Sequence, residues 1–324
     1  MEQTGWEIPP EAQPRPRELT FDLDAALASV LTLRAEVPPD GFTAPILGTE
    51  RAGNAVLIDR SGLVLTIGYL ITEAETIWLA STRQTVAPGH VVAYDFRTGF
   101  GLVQALGRLE VPPIELGSAR ELRVGEPLIV AAGGGRRGAL SARLVGKREF
   151  AGYWEYLLDE ALFTVPAHPH WGGAACLDRA GRLVGIGSLL VQEAMIQGQP
   201  KPGNMIVPID LLSPILDDLL RLGSIGEPPR PWLGIYLGEL EGGVVVTGLA
   251  PQGPAHKAGI EPGDLVIEVG GVPIGGLADL YRQLWSLGAA GVPVPLTLLR
   301  DGRPRRLTLR SADRESFLKK PSRH

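Results

Sequence analysis

The chain has 324 residues and a net charge of −5, from 36 acidic and 31 basic side chains. This balance excludes the basic surface that is typical of a nucleic-acid-binding protein. The single cysteine, Cys176, excludes an internal disulfide and a CxxC redox site. Hydrophobic residues make up 44% of the chain, and the 42 glycines and 28 prolines favour a β-rich fold with many tight turns.

Residues 1–22 are rich in Pro, Glu and Arg, and we expect them to be mobile. Short apolar stretches separated by turn residues follow over 23–223, among them "NAVLI", "LVLTIGYLI" and "GEPLIVAAGGG". Such spacing predicts a barrel or a sandwich and argues against alternating β–α units. No apolar run approaches the roughly 20 residues that span a bilayer, and the N-terminus lacks an apolar signal core. We therefore expect a cytoplasmic protein, or a periplasmic one if a leader was trimmed.

A helix is predicted at the end of this domain, in "SPILDDLLRLG". Ser213 is placed as its N-cap, Pro214 in its first turn and Gly223 at its end. Its apolar face is expected to consist of Ile215, Leu216, Leu219, Leu220 and Leu222. Residues 224–230, which include "GEPPRP", are predicted to form a stiff linker.

A second, smaller domain is predicted over 231–312, with a tail over 313–324. It opens with "WLGIYLGEL", contains the helix "LADLYRQLWSL" and ends as a hairpin around Asp301 and Gly302.

Taken in order, these segments resemble the HtrA family. "LGTERAGNAVLIDRSGLVLT", "YDFRTGFGLVQAL" and "HPHWGGAACLDRAGRLVGIGS" resemble the three segments that carry the family's catalytic residues, and "RPWLGIYLG" with "GPAHKAGIEPGD" resembles its PDZ domain. The resemblance implies a mostly β chain, with a trypsin-like double six-stranded β-barrel followed by a PDZ domain.

The resemblance also places the family's catalytic positions. A serine protease needs a nucleophile, an imidazole base, an orienting carboxylate and backbone N–H donors for the oxyanion. Here the His, Asp and Ser positions hold Tyr69, Gly99 and Trp171, and an oxyanion-donor position holds Pro169, which has no N–H. We therefore predict that the chain is not an enzyme but a pseudoprotease.

Other side chains near the Ser segment offer alternatives. His168 and His170 form either a metal or acid–base site, or loop residues satisfied by backbone groups. Cys176 is interpreted as a core residue, and Ser188 has no base indicated nearby. Glu155, Asp159 and Glu160 are expected on a solvated edge or turn.

Aromatic residues lie around the former catalytic positions. Trp171, Trp154 and Tyr69 either fill the cleft or line a pocket for a ligand. We favour filling.

The PDZ resemblance implies a groove that adds a peptide as a strand and binds its terminal carboxylate with a loop of N–H groups. We expect "WLGI" to form that loop, "IYLG" the receiving strand, and the helix bearing Tyr281 and Leu284 the other wall. The predicted peptide-binding residues are Trp232, Leu233, Gly234, Ile235, Tyr236, Leu237, Tyr281 and Leu284. The alternative is that Trp232, Tyr281 and Leu284 belong to the core. A second alternative is a groove that the chain itself blocks.

These features predict a non-catalytic HtrA-like protein that binds protein C-termini or extended peptides as a scaffold, a chaperone-like protein or a regulator. The alternatives are an active HtrA-type serine endopeptidase with an unrecognised nucleophile, and a metal-dependent enzyme using His168 and His170. No cofactor, metal, nucleic acid or membrane partner is expected. By family analogy the protein is expected to form a homo-oligomer, a trimer.

Overall fold

The computed structural model describes residues 7–196, 198–240 and 243–319. These residues form two compact units. One contains the described chain up to Arg148, together with Glu160–Ile225 and Lys319, and the other contains Glu149–Asp159 and Gly226–Leu318.

The first unit begins with a closed barrel of six strands, in the order β1-β2-β3-β6-β5-β4. All five residues of "LVLTI" in β3 are buried, and this strand pairs with β2 on one edge and β6 on the other. The strands are β1 (Val30–Glu36), β2 (Glu50–Leu57), β3 (Leu63–Ile67), β4 (Thr76–Ala80), β5 (Val86–Tyr94) and β6 (Phe100–Ala105).

A second closed barrel follows, in the order β10-β11-β12-β9-β8-β7. Its core contains small and branched apolar side chains, including the buried Cys176. The strands are β7 (Pro127–Ala131), β8 (Ala139–Gly152), β9 (Tyr156–Val165), β10 (Ala175–Leu177), β11 (Leu183–Ile196) and β12 (Gln199–Pro208).

The second unit is built on a six-stranded sheet in the order β13-β14-β15-β17-β18, with β16 paired to β15. The strand β13 lies at one end of this order and pairs with β14. The strands are β13 (Ile235–Leu240), β14 (Gly243–Leu249), β15 (Leu265–Val269), β16 (Val272–Pro273), β17 (Pro293–Arg300) and β18 (Arg303–Arg310).

The described parts of the chain also contain five α-helices: α1 (Leu23–Ala28), α2 (Ala44–Leu47), α3 (Leu216–Leu222), α4 (Pro254–Lys257) and α5 (Leu277–Ser286). The helix predicted from Ser213 begins later, at Leu216, and ends before Gly223 as expected. Its predicted apolar face is partly wrong: Leu219 is buried, but Leu220 and Leu222 are 45% and 61% exposed. The helix is short, so only one of these leucines reaches the core.

The ends of the chain carry local structure. Residues 1–6 and 320–324 of the predicted mobile segment and tail lie outside the described residues. Within 7–22, two 3-10 helices form, Pro10–Ala12 and Pro16–Glu18, and the N–H of Ile8 donates to the carbonyl of Arg137 at 2.9 Å. A further 3-10 helix spans Arg314–Phe317. The predicted domain boundaries stay a prediction.

The fold class expected from the sequence is confirmed: a mostly β chain with two six-stranded barrels and a smaller sheet domain. In the parts of the chain that the structure describes, no helix has the length and apolar character to cross a membrane.

Candidate functional sites

The structure brings together the three positions that the sequence assigned to the protease triad. Tyr69 lies on the 3-10 helix Gly68–Leu70 that follows β3. The N–H of Gly68 donates to the carbonyl of Gly99 at 2.7 Å, which joins the loops that carry Tyr69 and Gly99. The Tyr69 hydroxyl lies beside the turn that carries Trp171, because a Cβ on the adjacent Gly172 would lie 2.8 Å from it. The three predicted positions are therefore neighbours within the first unit.

The Tyr69 hydroxyl is bonded to the backbone of the chain. It donates to the carbonyl of Ser188 at 2.9 Å. Burial raises the pKa of Tyr69 above its ordinary value, and the Trp171 side chain opposes that change. The phenol therefore keeps its proton at neutral pH and is a poor base.

At the position assigned to the orienting acid, the loop is arranged by a different carboxylate. The buried Asp95 accepts from the N–H and the hydroxyl of Thr98, at 2.9 and 2.8 Å. Gly99 has φ of +84°, in the left-handed region that favours glycine. Asp95 therefore stabilises the turn, and the glycine at position 99 offers no side chain that could orient a base.

The segment His168–Gly173, here called the cleft turn, is held by Asn54 of β2. The Nδ2 of Asn54 donates to the carbonyls of His170 and Gly172, at 2.9 and 3.0 Å. Gly173 has φ of +74°, and a Cβ there would lie 1.8 Å from the carbonyl oxygen of Asn54. Only glycine fits at this contact, which fixes the turn against β2.

Backbone groups engage both ring nitrogens of His168. Its Nδ1 accepts from the N–H of His170 at 3.0 Å, so the proton lies on Nε2, which donates to the carbonyl of Gly138 at 2.9 Å. Burial lowers the pKa of His168 to about 4. The ring is therefore neutral and has no lone pair available for a metal or for a proton from substrate.

His170 is exposed, and its ring centroid lies 6.2 Å from that of His168. Among residues 7–196, 198–240 and 243–319, no group of three or more His, Cys, Asp or Glu side chains could hold a metal ion. The geometry of His168 thus favours the second of the two sequence-based interpretations, a histidine satisfied by backbone groups.

Two other candidate nucleophiles are buried. Cys176 is fully buried, and burial raises the pKa of its thiol to about 12, so it stays protonated. Ser188 is also buried, and its carbonyl is the acceptor for Tyr69.

In the second unit, three consecutive backbone N–H groups converge on one carboxylate. We call Leu233–Ile235 the N–H loop. The N–H of Gly234 donates to Oε1 of Glu155 at 2.8 Å, and that of Ile235 to the same oxygen at 3.2 Å. The N–H of Leu233 lies 3.2 and 3.1 Å from Oε1 and Oε2. This is the arrangement of a carboxylate-binding site.

The prediction that Glu155 lies on a solvated edge is wrong. The residue is only 7% exposed, whereas Asp159 and Glu160 are exposed as expected. Glu155 directly precedes β9 and has φ of +59°, and this bend turns its side chain into the N–H loop. Burial raises the pKa of Glu155 to about 7, while the bonds from the N–H loop and the charge of Arg314 act in the opposite direction.

The remaining predicted groove residues lie around this loop. Tyr281 and Leu284 of α5 are fully buried in the apolar cluster of the second unit, together with Leu233, Ile235 and Leu237. Trp232 is buried beside the ring of Phe317, at a centroid distance of 4.9 Å. Tyr236 is half-buried. Core packing and proximity to the groove therefore coexist in the same side chains.

Comparison with known families supports this architecture. The trypsin-like peptidase domain family matches residues 53–186, and the PDZ domain family matches residues 231–310. An HtrA-type protease, AlgW with a decapeptide, superposes with a TM-score of 0.52 at 19% identity, covering 93% of this chain and 98% of that one. The serine endoprotease from Yersinia pestis gives 0.50 at 20% identity, covering 89% and 95%.

Curated relatives agree with these matches. A probable periplasmic serine endoprotease, DegP-like, from Pseudomonas fluorescens is 25% identical over 280 residues, which cover 80% of this chain and 56% of the relative. Protease Do-like 1, chloroplastic, from Arabidopsis thaliana is 25% identical, with coverage of 76% and 61%. The chain thus spans little more than half the length of the first relative.

These names contradict the prediction that the chain is not an enzyme. The relatives are named serine endoproteases, which points to a protease. That prediction rested on the residue types at three positions and on the assumption that no other group supplies the chemistry. A trypsin-like peptidase domain followed by a PDZ domain, with DegP-like relatives over four fifths of the chain, confirms the resemblance to the HtrA family that the sequence predicted.

Proposed function

We propose that the chain binds extended peptides or protein C-termini along β13, with the N–H loop as the site for a carboxylate. One observation carries the proposal: the N–H groups of Leu233, Gly234 and Ile235 all point at carboxylate oxygens, at 2.8–3.2 Å. Hydrogen bonds to a charged acceptor are about twice as strong as those between neutral groups. A terminal carboxylate would make the same bonds.

The backbone of β13 suits strand addition. This strand lies at the end of the sheet and pairs on one side with β14. The N–H of Leu237 donates away from β14, to the carbonyl of Tyr153 at 2.9 Å. An added peptide would use the same donor, because strand addition takes its affinity from main-chain hydrogen bonds. Buried apolar side chains of Leu237 and Leu284 close to this edge favour an apolar C-terminal residue.

Fluorescence anisotropy with the full chain tests the proposal. The probes are labelled decapeptides that end in Phe, Val or Leu, each made with a free carboxylate and as the C-terminal amide. We expect the free acid to bind at least about tenfold more tightly than its amide, which corresponds to about 1.4 kcal/mol. Equal binding of both forms, or binding of neither, counts against a carboxylate-reading groove.

A second candidate function, serine endopeptidase activity, is favoured by the names of the curated relatives. We further propose that Tyr69, Gly99 and Trp171 occupy the family's His, Asp and Ser positions, with Pro169 at an oxyanion-donor position. Turnover would then require a nucleophile elsewhere in the chain, since an indole does not attack a carbonyl. A fluorophosphonate probe and a casein assay test this: one labelled serine whose substitution abolishes turnover establishes the activity, and the absence of both labelling and turnover removes it.

Location and assembly follow from the relatives only as proposals. The cytoplasmic location expected from the sequence is not supported, and relatives named periplasmic favour a periplasmic one. Trimer formation stays a prediction, which light scattering of the purified chain tests.

A further inference from the structure

Residues Glu149–Asp159, here called the groove segment, belong to the same compact unit as the N–H loop. They join the ends of β8 and β9 and contact the places that a bound peptide needs. The side chain of Glu155 accepts hydrogen bonds from the three N–H groups of the loop, and the carbonyl of Tyr153 accepts one from the N–H of Leu237 on β13. The carboxylate site and a strand-pairing site are therefore both occupied by the chain itself.

The helix on the other side of the groove also holds this segment. The hydroxyl of Tyr281 on α5 donates to the carbonyl of Gly152 at 2.7 Å and accepts from the N–H of Glu155 at 3.2 Å. Arg282, one position further along α5, pairs with Glu149 and, at 2.9 Å, with Asp159. The segment thus contacts β13, the N–H loop and α5 at once.

Apolar contacts continue this arrangement. Leu157 is part of the buried apolar cluster formed by the second unit. The rings of Tyr153 and Tyr236 lie edge to face, with centroids 6.2 Å apart. Glu155 itself is buried. A solvated surface contact would lack this burial, so the segment occupies the groove as a ligand does.

We infer that the groove is closed by the chain's own groove segment, with the Glu155 side chain in the place of a partner's terminal carboxylate, and that a partner binds by displacing this segment. The inference rests on the proposed peptide-binding function. It describes how that same site is regulated: the apparent affinity for a partner depends on the fraction of chains in which the segment has left the groove.

The size of the effect follows from the population of open groove. A tethered competitor acts at a high effective concentration, which for short linkers reaches about millimolar. Apparent affinity falls in proportion to the fraction of chains whose groove is open. If that fraction is at most about 10%, as for typical minor states, removing the Glu155 carboxylate raises affinity at least about tenfold.

The test compares the full chain with the Glu155→Ala, Glu155→Gln and Glu160→Ala variants. Glu160 is the matched control, because it is an exposed glutamate in β9 whose contact is a salt bridge with Lys147 at 3.2 Å. Gln keeps the shape of Glu155 and one acceptor oxygen, but it turns an amide N–H toward the N–H of Leu233, so it weakens the contact without emptying the site. It also covers the case in which Glu155→Ala does not fold.

Two measurements are made on each chain: anisotropy with the free-acid and amidated decapeptides, and hydrogen exchange of the peptides that cover Leu233–Leu237. We expect about tenfold tighter binding of the free acid by Glu155→Ala, a smaller gain by Glu155→Gln, and no change for Glu160→Ala. Exchange at Leu233–Leu237 should be slow in the wild type and fast in Glu155→Ala.

The outcomes separate the two claims. Equal binding and equal exchange in the wild type and both Glu155 variants overturn the closed groove while leaving peptide binding intact. Faster exchange in the variants without binding of any peptide supports the closed groove and overturns the peptide-binding function. A third outcome concerns displacement of the segment. If Leu233–Leu237 of the wild type exchange only when the whole protein unfolds, and added peptide does not change that exchange, a partner does not bind by displacing the segment.

Discussion

The cleft turn and the N–H loop both have backbone N–H groups that bond within the chain, but their acceptors come from different places. At the cleft turn the acceptor is local: Nδ1 of His168 accepts from the N–H of His170, two positions away. At the N–H loop the acceptor is Glu155, 78 positions away from Leu233. The first acceptor is part of the turn that it holds, whereas the second is brought to its loop by the fold, so an outside carboxylate could replace it without a change in the loop.

The largest effect on stability is expected from a substitution in the cleft turn. In Gly173→Ala, the new Cβ would lie 1.8 Å from the carbonyl oxygen of Asn54, at φ of +74°. We expect a loss of about 4 kcal/mol or more in the free energy of unfolding, or failure to fold. The matched control is Gly125→Ala, which has φ of +97° and nothing within 4 Å, and should lose only about 1 kcal/mol. Urea unfolding measures both, and equal losses would show that the turn tolerates displacement.

The buried carboxyl of Glu155 predicts that acid stabilises the second unit. Its pKa is about 7 in the fold, against an ordinary value of 4.5, so the folded state binds this proton more tightly than the unfolded chain. Stability should therefore rise as the pH falls from 7 to 4.5 and be lower above pH 7. A pKa difference of one is worth about 1.4 kcal/mol, so the gain approaches about 3 kcal/mol. Pulse-labelled hydrogen exchange of β17 along a urea series reports this, and Glu155→Gln should flatten the profile.

His168 predicts the opposite sign for the first unit. Its pKa is about 4 in the fold, against 6.5 ordinarily, so the unfolded chain binds this proton more tightly. Stability of the first unit should fall as the pH drops from 6.5 to 4, by up to about 3 kcal/mol. Exchange of β7 in the same urea series measures this. Profiles of equal sign in β7 and β17 would contradict the opposite effects expected of His168 and Glu155.

Tyr281→Phe tests the wall of the groove. It removes the hydroxyl that bonds the carbonyl of Gly152 and the N–H of Glu155, and both of these bonds are buried. We expect a loss of about 2 kcal/mol, because two backbone groups lose their partner. Tyr153→Phe is the control, since Tyr153 is 53% exposed and should lose less than about 0.5 kcal/mol. Similar losses in the two variants would mean that the hydroxyl of Tyr281 does not hold the segment.

Tyr69→Phe should have the smallest effect. It removes the hydroxyl that donates to the carbonyl of Ser188 at 2.9 Å. We expect a loss of about 1 kcal/mol in the free energy of unfolding, because one hydrogen bond is removed. Urea unfolding measures this loss, and a loss as large as that of Tyr281→Phe would contradict the expected order.

The sequence predicts the cleft better than the groove. The resemblance to the HtrA family marks Tyr69, Gly99 and Trp171 as parts of one site, and the bond from Gly68 to Gly99 joins two of the loops that carry them. It also allows the interpretation of His168 as satisfied by backbone groups, which the bonds to Gly138 and His170 favour.

The role of Glu155 was missed for a physical reason. In "WEYLLDEA" its charge resembles those of Asp159 and Glu160, which are exposed, and nothing in the local pattern marks which glutamate is buried. The signal lies in a bend with positive φ and in a loop that arrives much later in the chain. The same limit explains α3, where spacing predicted five buried apolar residues but tertiary contacts bury only Leu219 within the helix.

The separation between Glu155 and its acceptor loop has a consequence for synthesis. At roughly 5–20 residues per second, the N–H loop is made about 4–16 s after Glu155. During that interval Glu155 has no N–H loop to bind, and Leu157 lacks the apolar residues of the second unit that later cover it. A nascent chain that stalls before Leu233 therefore leaves both side chains in water, whereas the finished protein buries them.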